Sequence, residues 1–439
     1  MNIRRWSRTL APAVFASAGA LIPVAATAQT SLQIPLQLDF LNPGAKSLAL
    51  GGAFVALADD ATATFANPAG LTQLSASELS IEGRASRVTT QFLESGRLSG
   101  PVSNQGTDTI QGASFGDSVG SHAGAGFLAG VYSHPSRRWV LAGYRHELAR
   151  VDQAFSSNGV FQKDPAQPLS QRDLPQDGLR QVAITGYGIS GSYKIRPALA
   201  VGASLTAYSF SMASVFHRFN PIGFFGPPNL DSVAGTATQS GDSTRWAPTL
   251  GLMAGRDARR FGVVYRRGAT FDIKTRDGGT PERSGLFRVP DTLGFGASFR
   301  SGSSILTAVE VTHVWYSRLR EDFVTDQARA SNRQDSFTIN DGTEIHGGVQ
   351  YAVPRWRGVP RFRAGLWFDP DHSVHFAPDP AHPTDALFDE RLTTALSKGR
   401  NQVHGTGGLG LTLGGRLELN AAFDLSPTTR IFSSSLILR

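Results

Sequence analysis

Three stretches of this chain carry residue types at spacings that could do chemistry. Gly186-Tyr187-Gly188-Ile189-Ser190-Gly191 matches G-x-G-x-x-G, the pattern that brings backbone close to a pyrophosphate where a strand turns into a helix. Gly116-Asp117-Ser118-Val119-Gly120 matches G-x-S-x-G, the elbow that presents a serine nucleophile between a buried strand and a helix. In that setting the chain would be a lipase or deacylase. The stretch DPDHSVHFAPDPAHPTD places His372, His375 and His382 among Asp369, Asp371, Asp379 and Asp385, a mixed imidazole and carboxylate set suited to a divalent metal.

Each motif needs a setting, and the sequence around each supplies a different one. The glycine motif lies inside a run that reads as one strand through Tyr193 to a turn at Pro197, so no helix N-terminus stands ready for a phosphate. Glycines on a sheet wall are the plainer reading, and no cofactor is expected. Ser118 falls in a polar stretch, 94–121, that reads as a loop. The histidines of 369–385 have no helical spacing to fix a ligand geometry and read as a solvated external loop, with divalent ions bridging to lipopolysaccharide as a middle case. No catalytic residue, no metal and no enzyme activity is expected.

The elements around these motifs are strands. Ala123, Ala125, Phe127, Ala129 and Val131 alternate with Gly124, Gly126, Leu128, Gly130 and Tyr132, and Leu417, Leu419, Ala421 and Phe423 alternate with Glu418, Asn420 and Asp424. Period two with one apolar face marks a strand. Fourteen such segments are predicted, near 77–93, 122–133, 138–151, 180–195, 198–217, 244–254, 259–273, 284–300, 304–318, 343–353, 359–368, 401–412, 415–425 and 429–438. Connections after the even strands are short (HPSR, RP, GRDA, SGS, PRWRG and a Gly-Gly step), whereas 94–121, 152–179, 218–243, 319–342 and 369–400 are long. An even strand number with alternating short and long connections is how a bacterial outer-membrane barrel is built, closed so that no strand edge meets lipid. A soluble propeller would show a blade repeat of roughly forty to fifty residues, and none is visible.

Composition agrees. The 439 residues include no cysteine, so neither disulfides nor thiolate sites exist. Arg4, Arg5 and Arg8 precede a small and apolar run from Leu10 to Ala26, and Ala26-Thr27-Ala28 completes a cleavable signal peptide over 1–28. Removing those three charges from the net +7 leaves 7 − 3 = +4, too mild and scattered to suggest nucleic acid. No later run of eighteen apolar residues could form a membrane helix.

Between the signal and the first strand lies LGGAFVALADDATATFANPAGL, Leu50 to Leu71. Asn67 suits a helix N-cap with Pro68 at the first helical position, and Asp59 and Asp60 suit the start of a short turn. Gly51 and Gly52 allow close backbone approach to a wall. The stretch reads as compact material folded inside a barrel. From Gly44 to Leu71 it also closely resembles the N-terminal hatch of the FadL/TodX family of outer-membrane transporters for hydrophobic compounds, through Ala58-Asp59-Asp60-Ala61 and Asn67-Pro68-Ala69. FRAGLWFDP, Phe362 to Pro370, is similar to a late strand of that family and the loop after it. The resemblance implies an all-β protein: a 14-stranded antiparallel transmembrane β-barrel over 77–439, plugged by a hatch over 29–76 and passing ligands by diffusion. Two features depart from the family. The last residues are Ile437-Leu438-Arg439 rather than an aromatic, and the Asn-Pro-Ala-Gly-Leu variant also resembles relatives acting in secretion or assembly.

One stretch suggests a ligand. FHRFNPIGFFGPPNL gathers Phe216, Phe219, Ile222, Phe224 and Phe225 in what reads as an external loop, with His217 and Arg218 able to meet a carboxylate. A contiguous apolar patch implies something to cover it, either a hydrophobic molecule docking there or the loop's own small core over the barrel mouth. The expected function is passive uptake of long-chain fatty acids or similar hydrophobic small molecules by a monomer in contact with outer-membrane lipid and lipopolysaccharide. The alternative is a structural barrel serving protein secretion or outer-membrane assembly.

Overall fold

The computed structural model describes residue 38 and residues 40–163, 170–256, 258–324, 336–356, 358–378, 386–397 and 399–439. The signal peptide read over 1–28 lies outside the described residues.

Fourteen antiparallel strands form a closed ring. They are β1 (Glu78–Arg97), β2 (Gly112–Ser133), β3 (Trp139–Ser157), β4 (Gln176–Arg196), β5 (Leu199–Pro221), β6 (Pro228–Arg256) and β7, which is broken into Arg259–Arg266 and Thr270–Asp277. Next come β8, broken into Arg283–Arg288 and Thr292–Ser301, then β9 (Ile305–Val314), β10 (Gly342–Ala352), β11 (Arg361–Asp369), β12 (Gln402–Leu413), β13 (Leu417–Leu425) and β14 (Thr429–Leu438). Sequence neighbours pair all the way round, and β14 returns to β1 in a register running from Leu79↔Leu438 to Val88↔Thr429.

The polarity of this ring is inside out. Along β13, Leu419, Phe423 and Leu425 are exposed on the outer face while Glu418, Asn420 and Asp424 are buried within. Along β14, Phe432, Leu436 and Leu438 face out and Ser433 and Ser435 face in. An outer apolar band over a polar interior is stable when the surroundings are themselves apolar. Tyr132, Tyr193 and Tyr351 stand outward just before the short turns, where an amphipathic ring suits a membrane interface. Among the described residues no helix is long and apolar enough to cross a membrane.

The structure corrects several strand boundaries. The stretches 94–121, 152–179 and 218–243, read as long loops, are largely strand: β1 continues to Arg97, β2 begins at Gly112, and β5 and β6 run to Pro221 and from Pro228. Beyond the lipid the outer face of a strand is solvated too, so the contrast between its faces fades from the sequence while the ladder hydrogen bonds persist. The predicted continuous strands at 259–273 and 284–300 are each interrupted. Pro290 has no N–H for a ladder, and the two strands bulge together there. Val289 N donates to the Ala269 carbonyl at 2.9 Å, and Gly268 N donates to the Asp291 carboxylate at 2.7 Å.

The segment before β1 lies within the ring. Its elements are short: α1 (Ala45–Ala49), α2 (Ala63–Ala66) and a 3-10 turn (Pro68–Gln73). α1 packs against β11 to β14, whereas the 3-10 turn packs against β3 to β6 on the other side.

Candidate functional site

The N-terminal segment is held by wall side chains that capture its backbone. Glu310 on β9 accepts hydrogen bonds from Phe54 N and Val55 N, both at 2.8 Å, and Glu82 on β1 accepts from Gly44 N at 2.8 Å. His346 on β10 donates from Nδ1 to the Gly51 carbonyl at 2.7 Å. Arg266 on β7 donates to the Phe65 and Ala66 carbonyls at 3.0 and 2.7 Å. Buried backbone groups need such partners, and a short coil inside a barrel cannot supply them alone.

The residues singled out in this segment hold it together. Asn67 accepts from Ala69 N at 3.2 Å as the N-cap of the 3-10 turn, with Pro68 at its first position. Its amide donates to Val55 O at 2.9 Å and across to Leu252 O on β6 at 3.1 Å. Asp60 accepts from Thr62 N at 2.9 Å. Asp59 pairs with Lys46 Nζ at 2.5 Å. Burial pulls the Asp59 carboxyl upward, but the Lys46 ammonium outweighs it and holds the group below the usual carboxylate range. Burial moves Asp60 the other way, above that range, and Lys46 only partly offsets it.

Gly51 and Gly52 have φ of +66° and +82°, and a Cβ on Gly51 would stand 2.8 Å from Leu366 O on β11. The wall answers with its own glycines. A Cβ at Gly202 would stand 2.3 Å from the Pro68 carbonyl carbon, at Gly251 2.1 Å from Asn67 Oδ1, at Gly348 2.4 Å from Leu50 O and at Gly365 2.4 Å from Gly51 N. These four glycines lie on β5, β6, β10 and β11, so the segment is met at backbone distance from several sides.

Beside this segment the lumen is apolar. Phe210, Phe271 and Phe287 stack with ring centroids 4.6 and 5.2 Å apart, and Val182, Ile184 and Met212 are buried in the same cluster. A small cavity of about 40 Å³ is lined by Phe40, Phe65, Leu148 and Tyr208, with Arg266, Arg267 and Glu344 as its charged groups. Few polar groups on apolar walls is the usual make-up of a small-molecule site.

The wall itself has a window. The β2–β3 ladder runs from Ser133↔Val140 to Phe127↔His146 and stops there, although both strands continue. They approach again where Ser118 Oγ donates to the Ala154 carbonyl at 2.7 Å. Against β4, β3 carries one extra residue: Glu147 pairs with Thr185 and Ala149 with Ile184, leaving Leu148 unpaired. Such a bulge bends a strand and parts it from its neighbour. Across the opening His122 Nε2 and Glu147 Oε2 stand 3.3 Å apart, and Leu38, Leu41 and Leu148 line its inner side.

The aromatic stretch divides. Phe216 and Phe219 are buried on β5; Phe216 packs with Phe155 at 5.9 Å, His217 pairs with Asp177 at 3.0 Å and Arg218 lies 3.8 Å from Asp277. Phe224 and Phe225 sit in the tight β5–β6 turn, 4.8 Å from each other, and pack on Phe161 at 6.1 and 5.7 Å. The guanidinium of Arg172 lies 4.9 Å over the same Phe161 ring. So the four phenylalanines form no single patch.

The chemistry-like motifs have structural explanations. The G-x-G-x-x-G run passes through the middle of β4, where Gly186 and Gly188 leave room for the His146 and Tyr144 rings. Ser118 lies in β2, not in a loop, and its hydroxyl donates to Ala154. The segment after β11 is not the solvated loop expected: His372 is buried and stacks on Tyr316 at 4.0 Å, with Val374 and Phe376 in the lumen cluster. Asp379, His382 and Asp385 lie outside the described residues. Among the described residues no three His, Asp or Glu side chains are close enough to hold a metal ion.

A Pseudomonas aeruginosa FadL homologue superposes on this chain with a TM-score of 0.60 at 12% identity, covering 92% of this chain and 99% of its own. This is a barrel of the FadL/TodX type. The Ralstonia pickettii toluene transporter TbuX (TM-score 0.53, 15% identity, 91% of this chain and 99% of its own) and the P. putida toluene transporter TodX (0.53, 14%, 91% and 97%) share the fold. No family model and no curated relative matches the sequence. In this FadL/TodX-type barrel, Glu82, Glu310, His346 and the wall glycines were missed from sequence. Glycines at inward positions of successive strands were the available signal, but inward and outward invert with a one-residue slip.

Proposed function

We propose that this protein is a passive outer-membrane channel for hydrophobic small molecules, with long-chain fatty acids or similar compounds as cargo and residues 29–76 as its hatch. The observation that carries this reading is the apolar lumen cavity set between the N-terminal segment and a wall interrupted at β2–β3. Cargo of this kind is poorly carried by water and resisted by lipopolysaccharide. A route from the barrel mouth past the hatch, leaving sideways through the β2–β3 window, gives an apolar molecule Leu38, Leu41 and Leu148 to pass over, with Arg84, His122 and Glu147 beside them. The FadL-type fold, shared with the toluene transporters TbuX and TodX, supports this reading. No energy input, cofactor or catalytic group is required. The test is uptake of labelled oleate and of an alkylbenzene in a strain lacking its own channel for such compounds. Rescue of uptake of either is expected; no rescue of either by a correctly inserted barrel would defeat the reading.

A further inference from the structure

His146 is an anomaly inside this barrel. Its side chain is 2% exposed, and neither ring nitrogen has a hydrogen-bond partner among the described residues. Its surroundings are rings: Phe65 of the N-terminal segment at 4.5 Å, Tyr208 at 5.7 Å edge-on and Tyr144 at 5.8 Å. A buried imidazole with donor and acceptor both idle bears the desolvation cost of each unsatisfied group, and an unpaired group in a native interior calls for an explanation. Packing alone does not explain a histidine here, since a phenylalanine would fill the same aromatic niche without that loss.

Position supplies the explanation. Phe65 and Tyr208, which touch His146, both line the lumen cavity, as does Leu148 two residues along β3. His146 is also the last residue of β3 paired to β2 before the ladder stops, so it stands at the sill of the window. A molecule moving from cavity to window passes Phe65 and Tyr208, which pack on this ring, and Leu148, although the ring itself lines neither. We propose that His146 is a specificity residue for the cargo, and that the favoured cargo carries a neutral hydroxyl group on an apolar body, as in an alkylphenol or a long-chain alcohol. A neutral imidazole presents one N–H donor and one ring-nitrogen acceptor, which a hydroxyl, itself donor and acceptor, can satisfy. Within the aromatic cage no side chain offers a positive charge to a carboxylate. Of the two arginines at the cavity, Arg266 is already engaged by Phe65 O, Ala66 O, Thr292 Oγ1 and Asn42 Oδ1, and Arg267 is exposed.

This inference rests on the channel reading above, and its test separates the two. Binding of 4-hexylphenol and of hexylbenzene to the purified, detergent-solubilised barrel is compared for the parent, His146→Leu and His146→Gln, with heat-modifiable gel migration confirming the folded barrel. The parent should favour the phenol, His146→Leu should lose about fivefold or more of that preference, a hydrogen bond's worth, and His146→Gln should restore part of it. Equal preference in the parent and His146→Leu overturns the role of His146 and leaves the channel intact; it would mean that the ring is satisfied by an ordered water. Binding of neither compound by the folded parent overturns the channel reading itself, and this inference with it.

Discussion

Asn67 shows how much one side chain does in this segment. It caps the 3-10 turn and also binds Val55 within the segment and Leu252 on the wall. Loss of a cap costs about 1 kcal/mol, and each buried carbonyl left behind adds a penalty of about 1–3 kcal/mol. Asn67→Ala should therefore loosen the segment well beyond a simple cap loss. Leakage of small solutes through the reconstituted barrel is the measurement, and unchanged leakage would show that Asn67 does not seat the segment. Asp59 supplies a pH dependence. Its folded carboxyl lies below the ordinary value, so its contribution is present above that value and is lost as pH falls through the folded one. Hydrogen-exchange protection of residues 45–74 should fall on acidification in the parent. In Asp59→Asn it should start lower and show a flatter acid limb, and superimposable profiles would refute the Lys46–Asp59 tie.

At the scale of an element, the bulge in β3 is the feature that parts the wall. Leu148 is the extra residue, and its removal restores one-to-one pairing with β4 between Glu147–Thr185 and Ala149–Ile184. The faces of β3 above and below stay in register, because the bulge is what currently shifts them. Deletion of Leu148 should let the β2–β3 ladder continue past Phe127↔His146 and close the window. The folded, heat-modifiable barrel should then take up hydrophobic cargo several-fold more slowly. Uptake at the parent rate would place the exit elsewhere.

For the whole molecule, the mouth and the lumen are separable. The β5–β6 turn places Phe224 and Phe225 on Phe161, outside the lumen cluster around Phe210. Apolar burial is worth roughly 25 cal/mol per Å², so two well-covered rings could contribute a few kcal/mol to a docked tail before association costs. Phe224→Ser combined with Phe225→Ser should weaken capture of a fluorescent fatty acid at low concentration and spare maximal flux. Capture as tight as the parent's would make this turn a lid resting on Phe161. Deletion of residues 29–70 should open the barrel to small ions, raising conductance in planar bilayers; a conductance equal to the parent's would remove the hatch from the account.

Period-two alternation and the rhythm of short and long connections determined the fold class, because a closed wall in lipid imposes both on the chain locally. The turn chemistry at Asn67-Pro68 was equally legible, since a cap and the residues it serves are adjacent in sequence. The extensions of β2 over 112–121 and of β6 over 228–243 were not, because beyond lipid the outer face of a strand is solvated and the period-two contrast fades. Nor did the sequence show which face of each strand points inward; closure of the ring decided that, turning Glu82, Glu310 and His346 toward the segment they hold. Phe216, Phe219, Phe224 and Phe225, close in sequence, were divided by the turn between β5 and β6. His146, Phe65 and Tyr208 lie far apart along the chain, and the barrel gathered them around one point of its wall. Contacts made across a lumen depend on register and closure, which no local stretch of sequence encodes by itself.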